Sequence, residues 1–353
     1  MDECELDVSD IAVIGAGAWG TALSIVLGRK RTHTVRLWAY EREVHDSIVS
    51  SRVNEPFLPG YSVPETVAVT NRLAEALGGA ELVVSVMPSH HCRRLFREMA
   101  PLARPEMLFV SATKGVENDT LSRMTEVISD VLQELGGFRP RLGALSGPSF
   151  AREVARGDPT AITIASHDQD LAQAVQREFS DPSFRMYTSE DVVGVELGGS
   201  LKNIIAIAAG MCDGLGLGHN SVAALITRGL AEITRLVVAC GGQRETMAGL
   251  AGLGDLVLTC TGELSRNRSV GVELGRGRKL ADVVSGMHGM VAEGVLTTNA
   301  AVGLAHRYGV EMPITQQVHA ILHQDKSPRE AIHELMTRRA TSEVGLYRNP
   351  ANG

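Results

Sequence analysis

The glycine-containing run at residues 9–23 constrains the fold of this chain more than any other segment. Residues 11–14 (Ile-Ala-Val-Ile) are apolar, which is typical of a buried strand. Gly15, Gly17 and Gly20 follow in the spacing Gly-x-Gly-x-x-Gly, and a helical pattern begins immediately after them. In this arrangement the glycines permit a tight turn, close approach of a pyrophosphate, and close packing of helix on strand. The run therefore predicts a dinucleotide-binding βαβ unit, with a glycine-rich turn that binds nothing as the alternative.

Short apolar runs alternate with helical patterns in the first half of the chain. Strands are predicted at residues 34–38, 82–86, 107–111, 142–145 and 160–164, and helices at residues 43–51 and 90–99. This alternation predicts an α/β fold with a mostly parallel, doubly wound sheet that carries helices on both faces. Ligands of such sheets bind beyond the carboxyl ends of the strands.

The pattern changes near Thr188, after which strand-like runs stop and long helical patterns such as residues 222–240 take over. A chain of 353 residues is long for one domain, so two domains are expected. We predict a Rossmann-type nucleotide-binding domain over residues 1–189, followed by an all-α C-terminal domain over residues 190–353.

Composition excludes several classes of function. The formal net charge of −7 disfavours a nucleic-acid partner. The five cysteines are scattered without Cys-x-x-Cys spacing, which favours free thiols in a reducing compartment over a zinc site. His319 and His323 have no apparent third ligand nearby, so no metal is expected. The acidic N-terminus does not resemble a targeting peptide, and no apolar stretch approaches the length of a membrane span, so we expect a cytoplasmic protein.

Polar residues follow several of the predicted strands. Glu41 lies where the ribose-reading residue of the cofactor site is expected; it would favour NAD, whereas the adjacent Arg42 would favour NADP. Lys114 follows the strand at 107–111 and points toward the crevice. Ser149, at a predicted helix start, can donate to an anionic ligand. A solvated surface charge is the alternative for Glu41, Arg42 and Lys114.

A proline-containing loop spans residues 54–60 and predicts a rigid turn. Its Phe57 either lies on the cofactor or packs locally.

The helix around Lys202 contains an anomaly. Leu197, Leu201 and Ile204 recur at helical spacing, whereas Gly198 and neighbouring small residues lie on the same face as the lysine. A glycine within a helix costs about 1 kcal/mol relative to alanine, so something is expected to approach this face closely. A lysine among small residues is a candidate acid or base, with helix packing around a surface-reaching lysine as the alternative.

Two later segments supply complementary groups. Asp255 follows a glycine-rich apolar turn and is placed to orient a lysine or to accept a hydrogen bond from a hydroxyl. Arg266 offers a planar fork for a phosphate or carboxylate, and Asn267 adds an amide. With the dinucleotide loop, these groups predict a dehydrogenase that acts on an anionic alcohol or ketone.

The sequence resembles the bacterial NAD(P)-dependent glycerol-3-phosphate dehydrogenase family from about residue 11 to about residue 334. The resemblance is carried, in order, by Gly-Ala-Gly-Ala-Trp-Gly-Thr-Ala-Leu at 15–23, Thr-Lys-Gly at 113–115, Ser-Gly-Pro-Ser-Phe-Ala at 146–151, Leu-Lys-Asn at 201–203, Gly-Leu-Gly-Asp at 252–255, Ser-Arg-Asn-Arg at 265–268, Val-Ala-Glu-Gly at 291–294 and Glu-Met-Pro-Ile at 311–314.

The resemblance implies NAD(P)H-dependent reduction of dihydroxyacetone phosphate to sn-glycerol 3-phosphate, which feeds phospholipid synthesis. It implies that Lys202 is the proton donor or acceptor. The implied substrate-binding residues are Lys114, Gly147, Ser149, Lys202, Asp255, Ser265, Arg266 and Asn267. The implied cofactor-binding residues are Gly15, Gly17, Ala18, Trp19, Gly20, Glu41, Lys114, Ala151, Arg266, Val291 and Glu293.

Some alternatives stay open at the level of sequence. Family members that favour NADPH often carry arginines where this chain has Tyr40 and Glu41, so the preference between NADH and NADPH is undecided. A β-hydroxyacid or phosphogluconate-type dehydrogenase and a non-catalytic NAD(P)-binding sensor are the competing functions. The expected partner is a small molecule rather than nucleic acid or membrane, and a homodimer is the expected assembly, although the sequence carries no signal of oligomeric state.

Overall fold

The structure of the chain, a computed structural model, describes residues 8–30, 32–286, 292–340 and 343. The chain divides into two units, one formed by Met1–Lys114 with Met124–Val192 and the other by Gly115–Arg123 with Val193–Gly353. The first unit contains a β-sheet with helices. In the described part of the second unit, the regular elements are helices apart from an isolated bridge between Val116 and Arg123. The predicted fold class, a Rossmann-type unit and a helical unit, is therefore confirmed.

Ten strands lie in the first unit. They are β1 (Asp10–Ile14), β2 (Thr34–Trp38), β3 (Val53–Asn54), β4 (Leu58–Ser62), β5 (Val67–Thr70), β6 (Leu82–Ser85), β7 (Leu108–Ser111), β8 (Arg141–Ser146), β9 (Thr160–Ala165) and β10 (Phe184–Ser189). Eight of them form one sheet in the order β10-β9-β8-β7-β6-β1-β2-β5, and β3 and β4 form a separate hairpin. All neighbours in the large sheet are parallel except β8 and β9, so most strands end at the same edge.

Sixteen α-helices lie in the described residues. The first unit contains α1 (Ala18–Arg29), α2 (Arg42–Ser51), α3 (Leu73–Leu77), α4 (Cys92–Met99), α5 (Met124–Gly136), α6 (Ala151–Arg156) and α7 (Gln169–Phe179). The others are α8 (Val192–Gly214), α9 (His219–Ala239), α10 (Arg244–Met247), α11 (Asp255–Thr261), α12 (Arg266–Gly275), α13 (Leu280–Ser285), α14 (Glu293–Tyr308), α15 (Pro313–His323) and α16 (Pro328–Met336). A π-type turn, Leu250–Gly254, precedes α11, and single 3₁₀ turns occur at Ser89–His91 and Ala100–Leu102.

The sheet is covered on both faces, as the sequence predicted. Successive residues of β1 point to opposite faces, so Ile11 and Val13 join one apolar cluster whereas Ala12 and Ile14 join another. Helix α1 packs in the first cluster, and α4 and α5 pack in the second. This burial on both sides explains why the central strands are continuous apolar runs that sequence reasoning could find.

The six strands predicted from sequence are present as β1, β2, β6, β7, β8 and β9, and the helix predicted at residues 222–240 is present as α9. Sequence analysis missed β5 and β10, which form the two edges of the sheet. Their exposed residues break the apolar run, as in Phe184-Arg-Met-Tyr-Thr-Ser of β10, where buried and exposed positions alternate at first. The hairpin formed by β3 and β4 was also missed, because β3 has only two residues and buried and exposed positions do not alternate regularly along β4.

Helix α8 is the central element of the second unit. By length and composition alone it could cross a membrane, so the sequence prediction that no stretch approaches that length was wrong. However, 94% of its apolar window is buried within the protein, as is typical of a core helix. Its residues Leu201, Ile204 and Ile207 belong to the apolar cluster of the helical unit.

The backbones of helices α8 and α12 are in direct contact at two glycines. A Cβ atom built at Gly271 would lie 2.0 Å from the carbonyl oxygen of Ile207, and one built at Gly210 would lie 2.0 Å from the carbonyl oxygen of Arg268. Only glycine fits at both positions. This contact fixes the start of α12 relative to the middle of α8, where the candidate site residues of this unit lie.

We predict that Gly271→Ala destabilises the protein by about 1–3 kcal/mol or more, because the added methyl group forces the two helices apart. The matched control is Ser269→Ala, an exposed position on the same helix, which should change the free energy of unfolding by no more than about 0.5 kcal/mol. Denaturant unfolding of both variants measures the difference. Equal stability of Gly271→Ala and the wild type would contradict the close packing.

Candidate functional site

The carboxyl edge of the parallel strands gathers the predicted site residues of the first unit. Gly15 follows β1, Lys114 lies three residues after β7, and Gly147 follows β8. Since β1, β6, β7 and β8 run parallel in adjacent positions, these residues lie along the same edge. This edge is where open α/β sheets bind their ligands.

Two of the three glycines in the loop after β1 are required by the fold itself. Gly15 has a φ of 121°, and a Cβ atom there would lie 2.0 Å from the carbonyl oxygen of Val86. A Cβ atom at Gly20 would lie 1.8 Å from the carbonyl oxygen of Gly15. Gly17 differs, since its φ is −66° and a Cβ there would meet no heavy atom of the described chain within 4 Å. The fold does not require glycine at this position, so its absent side chain leaves room for a ligand.

Helix α1 begins at this open position. Gly17 is its N-cap residue and has no side chain with which to cap the helix, and Ala18 and Trp19 form its first two positions. The first amides of a helix have no carbonyl partner within the helix, and the helix dipole adds partial positive charge at this end. The start of α1 can therefore hold the phosphates of a dinucleotide.

Glu41 lies after β2 and directly before α2. Its side chain is exposed, as are those of Tyr40 and Arg42, and Arg42 lies 3.5 Å from Asp46 in an exposed ion pair. The guanidinium of Arg94 lies over the ring of Tyr40, at 5.7 Å from its centroid. The structure thus places an acidic group, Glu41, and a basic group, Arg42, directly after β2, where the residue that binds the cofactor ribose is expected.

Lys114 and residues 147–151 come together after neighbouring strands. Lys114 Nζ donates to the carbonyl oxygen of Gly147 at 3.3 Å. The sequence placed Ser149 at a helix start, but α6 begins two residues later, at Ala151. The Ser149 hydroxyl donates to the same Gly147 carbonyl at 3.0 Å. Gly147 itself has a φ of 147°, and a Cβ there would lie 2.8 Å from Ile162 Cα, so its backbone alone can contact a ligand.

A buried ion pair forms the candidate acid–base centre of the helical unit. Lys202 on α8 is 5% exposed, and Asp255 at the start of α11 is 1% exposed. Lys202 Nζ donates to Asp255 Oδ1 and, at 2.8 Å, to Thr259 Oγ1. The Thr259 hydroxyl in turn donates to the Asp255 carbonyl at 2.6 Å. Burying two charges is costly, so a buried pair of this kind is more typical of a functional site than of a device for stability.

The glycine-rich turn before Asp255 explains how this carboxylate reaches the lysine. A Cβ atom at Gly198, one helical turn before Lys202, would lie 2.8 Å from the carbonyl oxygen of Ala251. A Cβ atom at Gly252 would lie 2.3 Å from the carbonyl oxygen of Met247. The close approach that the sequence predicted for the Gly198 face is therefore confirmed, and the approaching segment is this turn.

Cys260 lies next to the threonine that contacts the lysine, but it is a poor candidate nucleophile. Burial raises the pKa of its thiol to about 12, although the nearby Lys202 ammonium acts in the opposite direction. Since the thiolate is the reactive form, Cys260 stays a neutral packing residue near pH 7.

The start of α12 collects the remaining predicted residues. Ser265 caps the helix by accepting a hydrogen bond from the Arg268 amide at 3.2 Å. Arg266 is the first helical residue and is exposed to solvent. Incomplete hydration nevertheless lowers the pKa of its guanidinium, against the effect of the nearby Glu293 carboxylate. The guanidinium is therefore a cation that its surroundings solvate incompletely.

The side chain of Asn267 is engaged within the helical unit. Its Nδ2 donates to Asn203 Oδ1 at 3.0 Å, and its Oδ1 accepts from the Gly294 amide at 2.9 Å. The amide thereby joins α8, α12 and the start of α14. Glu293, the first residue of α14, is positioned by this network.

The structure groups the predicted residues within each unit. Gly15, Gly17, Ala18, Trp19, Gly20, Glu41, Lys114, Gly147, Ser149 and Ala151 belong to the first unit, and Lys202, Asp255, Ser265, Arg266, Asn267 and Glu293 belong to the second. Val291 lies outside the described residues.

Sequence reasoning missed Thr259, although its spacing of four from Asp255 on one helix places both on the same face. In the described ranges, no group of three or more His, Cys, Asp or Glu side chains could hold a metal ion. The rings of His319 and His323 lie with their centroids 5.0 Å apart on α15.

Comparisons with known proteins cover nearly the whole chain. Residues 10–172 match the N-terminal part of the NAD-dependent glycerol-3-phosphate dehydrogenase family, and residues 191–333 match its C-terminal part. A glycerol-3-phosphate dehydrogenase [NAD(P)+] of Koribacter versatilis is 72% identical over 96% of this chain and 100% of that protein. One of Acidobacterium capsulatum is 57% identical over 95% of this chain and 100% of that protein. The crystal structure of the Coxiella burnetii enzyme has a TM-score of 0.89 and 42% identity, covering 94% of this chain and 99% of that one.

We predict that Gly17→Ala weakens binding of NADH by about tenfold or more, since the methyl group occupies the space left for the ligand. The fold should tolerate it, because no described atom contacts this Cβ. The matched variant Gly20→Ala should instead lower the melting temperature, because its Cβ would overlap the backbone. Calorimetric titration and thermal unfolding distinguish the two. Unchanged NADH affinity in Gly17→Ala would contradict this location of the phosphates.

Proposed function

This chain belongs to the NAD-dependent glycerol-3-phosphate dehydrogenase family, and we propose from that membership that it reduces dihydroxyacetone phosphate to sn-glycerol 3-phosphate with NADH or NADPH, reversibly. The observation that carries the proposal is the buried Lys202–Asp255–Thr259 cluster, because reduction of a ketone requires a proton donor. A non-catalytic nucleotide sensor would not need a buried lysine–aspartate pair.

The cofactor binds at the loop after β1. The open position at Gly17 and the uncapped start of α1 fit a pyrophosphate, with Gly15, Gly20, Ala18 and Trp19 shaping the same loop. When bound, the cofactor supplies the hydride for the carbonyl carbon. Family membership further implies cofactor binding by Ala151, Val291, Glu293 and Arg266, and we include these residues in the proposal.

Glu41 contacts the adenosine ribose of the cofactor. Its exposed carboxylate can accept hydrogen bonds from a 2′-hydroxyl, whereas Arg42 and the guanidinium of Arg94 can face a 2′-phosphate. This mixed environment is compatible with use of both NADH and NADPH, and the relatives of Koribacter versatilis and Acidobacterium capsulatum are named as NAD(P)+ enzymes.

Lys202 gives its proton to the carbonyl oxygen of the substrate as negative charge develops there. Asp255 holds the ammonium in place, and Thr259 fixes its direction. In the oxidation direction the neutral amine takes the proton from the 2-hydroxyl. Family membership also implies substrate binding by Lys114, whose positive charge would add electrostatic stabilisation.

Arg266 binds the phosphate of the substrate. The first amides of α12 and the Ser265 hydroxyl are further donors beside its planar fork, whereas the Asn267 side chain acts through the network that it braces. Gly147 and Ser149 are the further substrate-binding residues that family membership implies in the first unit. Binding energy from the phosphate thereby positions the carbonyl for reduction.

The wider role follows from the product. We propose that the enzyme acts in the cytoplasm as a homodimer and that sn-glycerol 3-phosphate enters phospholipid synthesis. In this proposal, residues 1–189 form the nucleotide-binding domain and residues 190–353 form the substrate-binding domain.

The experiment that tests the function measures the oxidation of NADH and of NADPH side by side. The substrate is either dihydroxyacetone phosphate or one of the ketoacids that reduction would convert to a hydroxyacid. We expect turnover with dihydroxyacetone phosphate only. Turnover with the ketoacids instead would favour the β-hydroxyacid alternative, and nucleotide binding without turnover would favour a sensor.

We predict that Lys202→Ala lowers kcat for reduction by about 100-fold or more, because the general acid is removed, while NADH still binds. Lys202→Met tests the same loss with the volume of the side chain retained. The control is Lys279→Met, which replaces an exposed lysine of the helical unit and should leave kcat unchanged. Stopped-flow hydride transfer gives the rates. A Lys202 variant with wild-type turnover would remove the residue from the mechanism.

We predict that Arg266→Ala raises KM for dihydroxyacetone phosphate by about tenfold or more, since a charge-assisted contact to the phosphate is lost. The variant should also lose most of its preference for dihydroxyacetone phosphate over dihydroxyacetone. Arg276→Ala, at the other end of α12, is the control and should change neither quantity. If KM and the preference stay at their wild-type values in Arg266→Ala, the phosphate binds elsewhere.

A further inference from the structure

Asn54 joins the β3–β4 hairpin to the glycine-rich loop within the first unit. The residue is 0% exposed. Its Nδ2 donates to the Ala16 carbonyl at 2.8 Å and to Thr21 Oγ1 at 2.8 Å, and its Oδ1 accepts from the Phe57 amide at 3.1 Å. These partners fix the orientation of the side chain, because the Ala16 carbonyl can only accept and the Phe57 amide can only donate.

The bond to Ala16 fixes the peptide plane between Ala16 and Gly17. In a trans peptide the C=O and N–H bonds point in opposite directions, so a carbonyl held toward Asn54 turns the Gly17 amide away from it. Thr21 Oγ1 lies 3.4 Å from the same carbonyl and donates to it, which closes a ring of three hydrogen-bonding groups. The loop is thus held in one peptide orientation by a side chain 38 residues away in sequence.

We propose that Asn54 is a positioning residue for the cofactor: by holding the Ala16 carbonyl, it keeps the Gly17 amide turned toward the pyrophosphate. The inference rests on the proposed placement of the pyrophosphate at residues 15–20. A donor oriented before the ligand arrives does not have to be reorganised on binding, so its hydrogen bond contributes fully to affinity.

The experiment uses Asn54→Asp in the full-length enzyme. This isosteric change keeps the oxygen that accepts from Phe57 and so retains the turn of the hairpin, but it removes both donors and places a negative oxygen beside the Ala16 carbonyl. We expect the Kd for NADH, measured by calorimetry, to rise about tenfold or more. KM for dihydroxyacetone phosphate at saturating NADH should stay unchanged, which a general structural defect would not allow.

The matched control is Ser47→Ala. Ser47 supports the same hairpin from α2, since its hydroxyl donates to the Val53 carbonyl at 2.8 Å and accepts from the Glu55 amide at 3.3 Å. It has no hydrogen bond to the glycine-rich loop among the contacts of the described residues. Ser47→Ala should therefore lower the melting temperature without changing the Kd for NADH.

The outcomes separate this inference from the proposed function. Unchanged NADH affinity in Asn54→Asp, with weakened binding in Gly17→Ala, overturns the role of Asn54 and leaves the cofactor site in place. Unchanged affinity in Gly17→Ala overturns the cofactor site itself. Equal loss of affinity in Ser47→Ala and Asn54→Asp also overturns the inference, because stability of the hairpin would then explain both.

A second variant covers the case in which Asn54→Asp does not fold. Thr21→Val keeps the shape of the threonine but removes the oxygen that accepts from Asn54. We expect a smaller rise in the Kd for NADH, of about threefold. A wild-type Kd in Thr21→Val would then count against the inference.

Discussion

The buried ion pair between Lys202 and Asp255 is the interaction from which the proposed proton transfer follows. Both side chains are almost fully buried, so the ammonium and the carboxylate must satisfy each other. Helix α8 and the turn that precedes α11 hold them together, and glycines at 198 and 252 allow that turn to reach the helix. A general acid that is held in place and shielded from water can give its proton without first being reoriented.

In the proposed cofactor site, the loop after β1 acts through its backbone rather than through charged side chains. The loop after β1 presents amides at a helix start, and its geometry is fixed by glycines at 15 and 20, which the fold cannot replace. The third glycine, at 17, has room for a side chain, and in our proposal the pyrophosphate occupies that room instead. The division of the motif into glycines needed for folding and a glycine needed for binding follows from the space around each one.

The sequence predicted the central strands, the helical second unit and the residue types of the site, because burial and glycine spacing leave a direct trace in local sequence. The edge strands β5 and β10 leave a weaker trace, since part of each strand faces solvent.

Thr259 and Asn54 were missed for another reason. Threonine and asparagine are common throughout proteins, and their roles depend on partners that only the folded chain brings together. The position of Ser149 was predicted wrongly: the sequence placed this residue at a helix start, whereas helix α6 begins two residues later, at Ala151.

In the proposed mechanism, Lys202, held by Asp255, supplies the proton during reduction. The most direct test measures the pH dependence of single-turnover reduction of dihydroxyacetone phosphate in the wild type and in Asp255→Asn. An adjacent carboxylate favours the charged ammonium, so its removal should lower the apparent pKa of the group that must be protonated. The fall in rate at high pH should then move to lower pH. An apparent pKa that is unchanged or higher in Asp255→Asn would rule out this role of the ion pair.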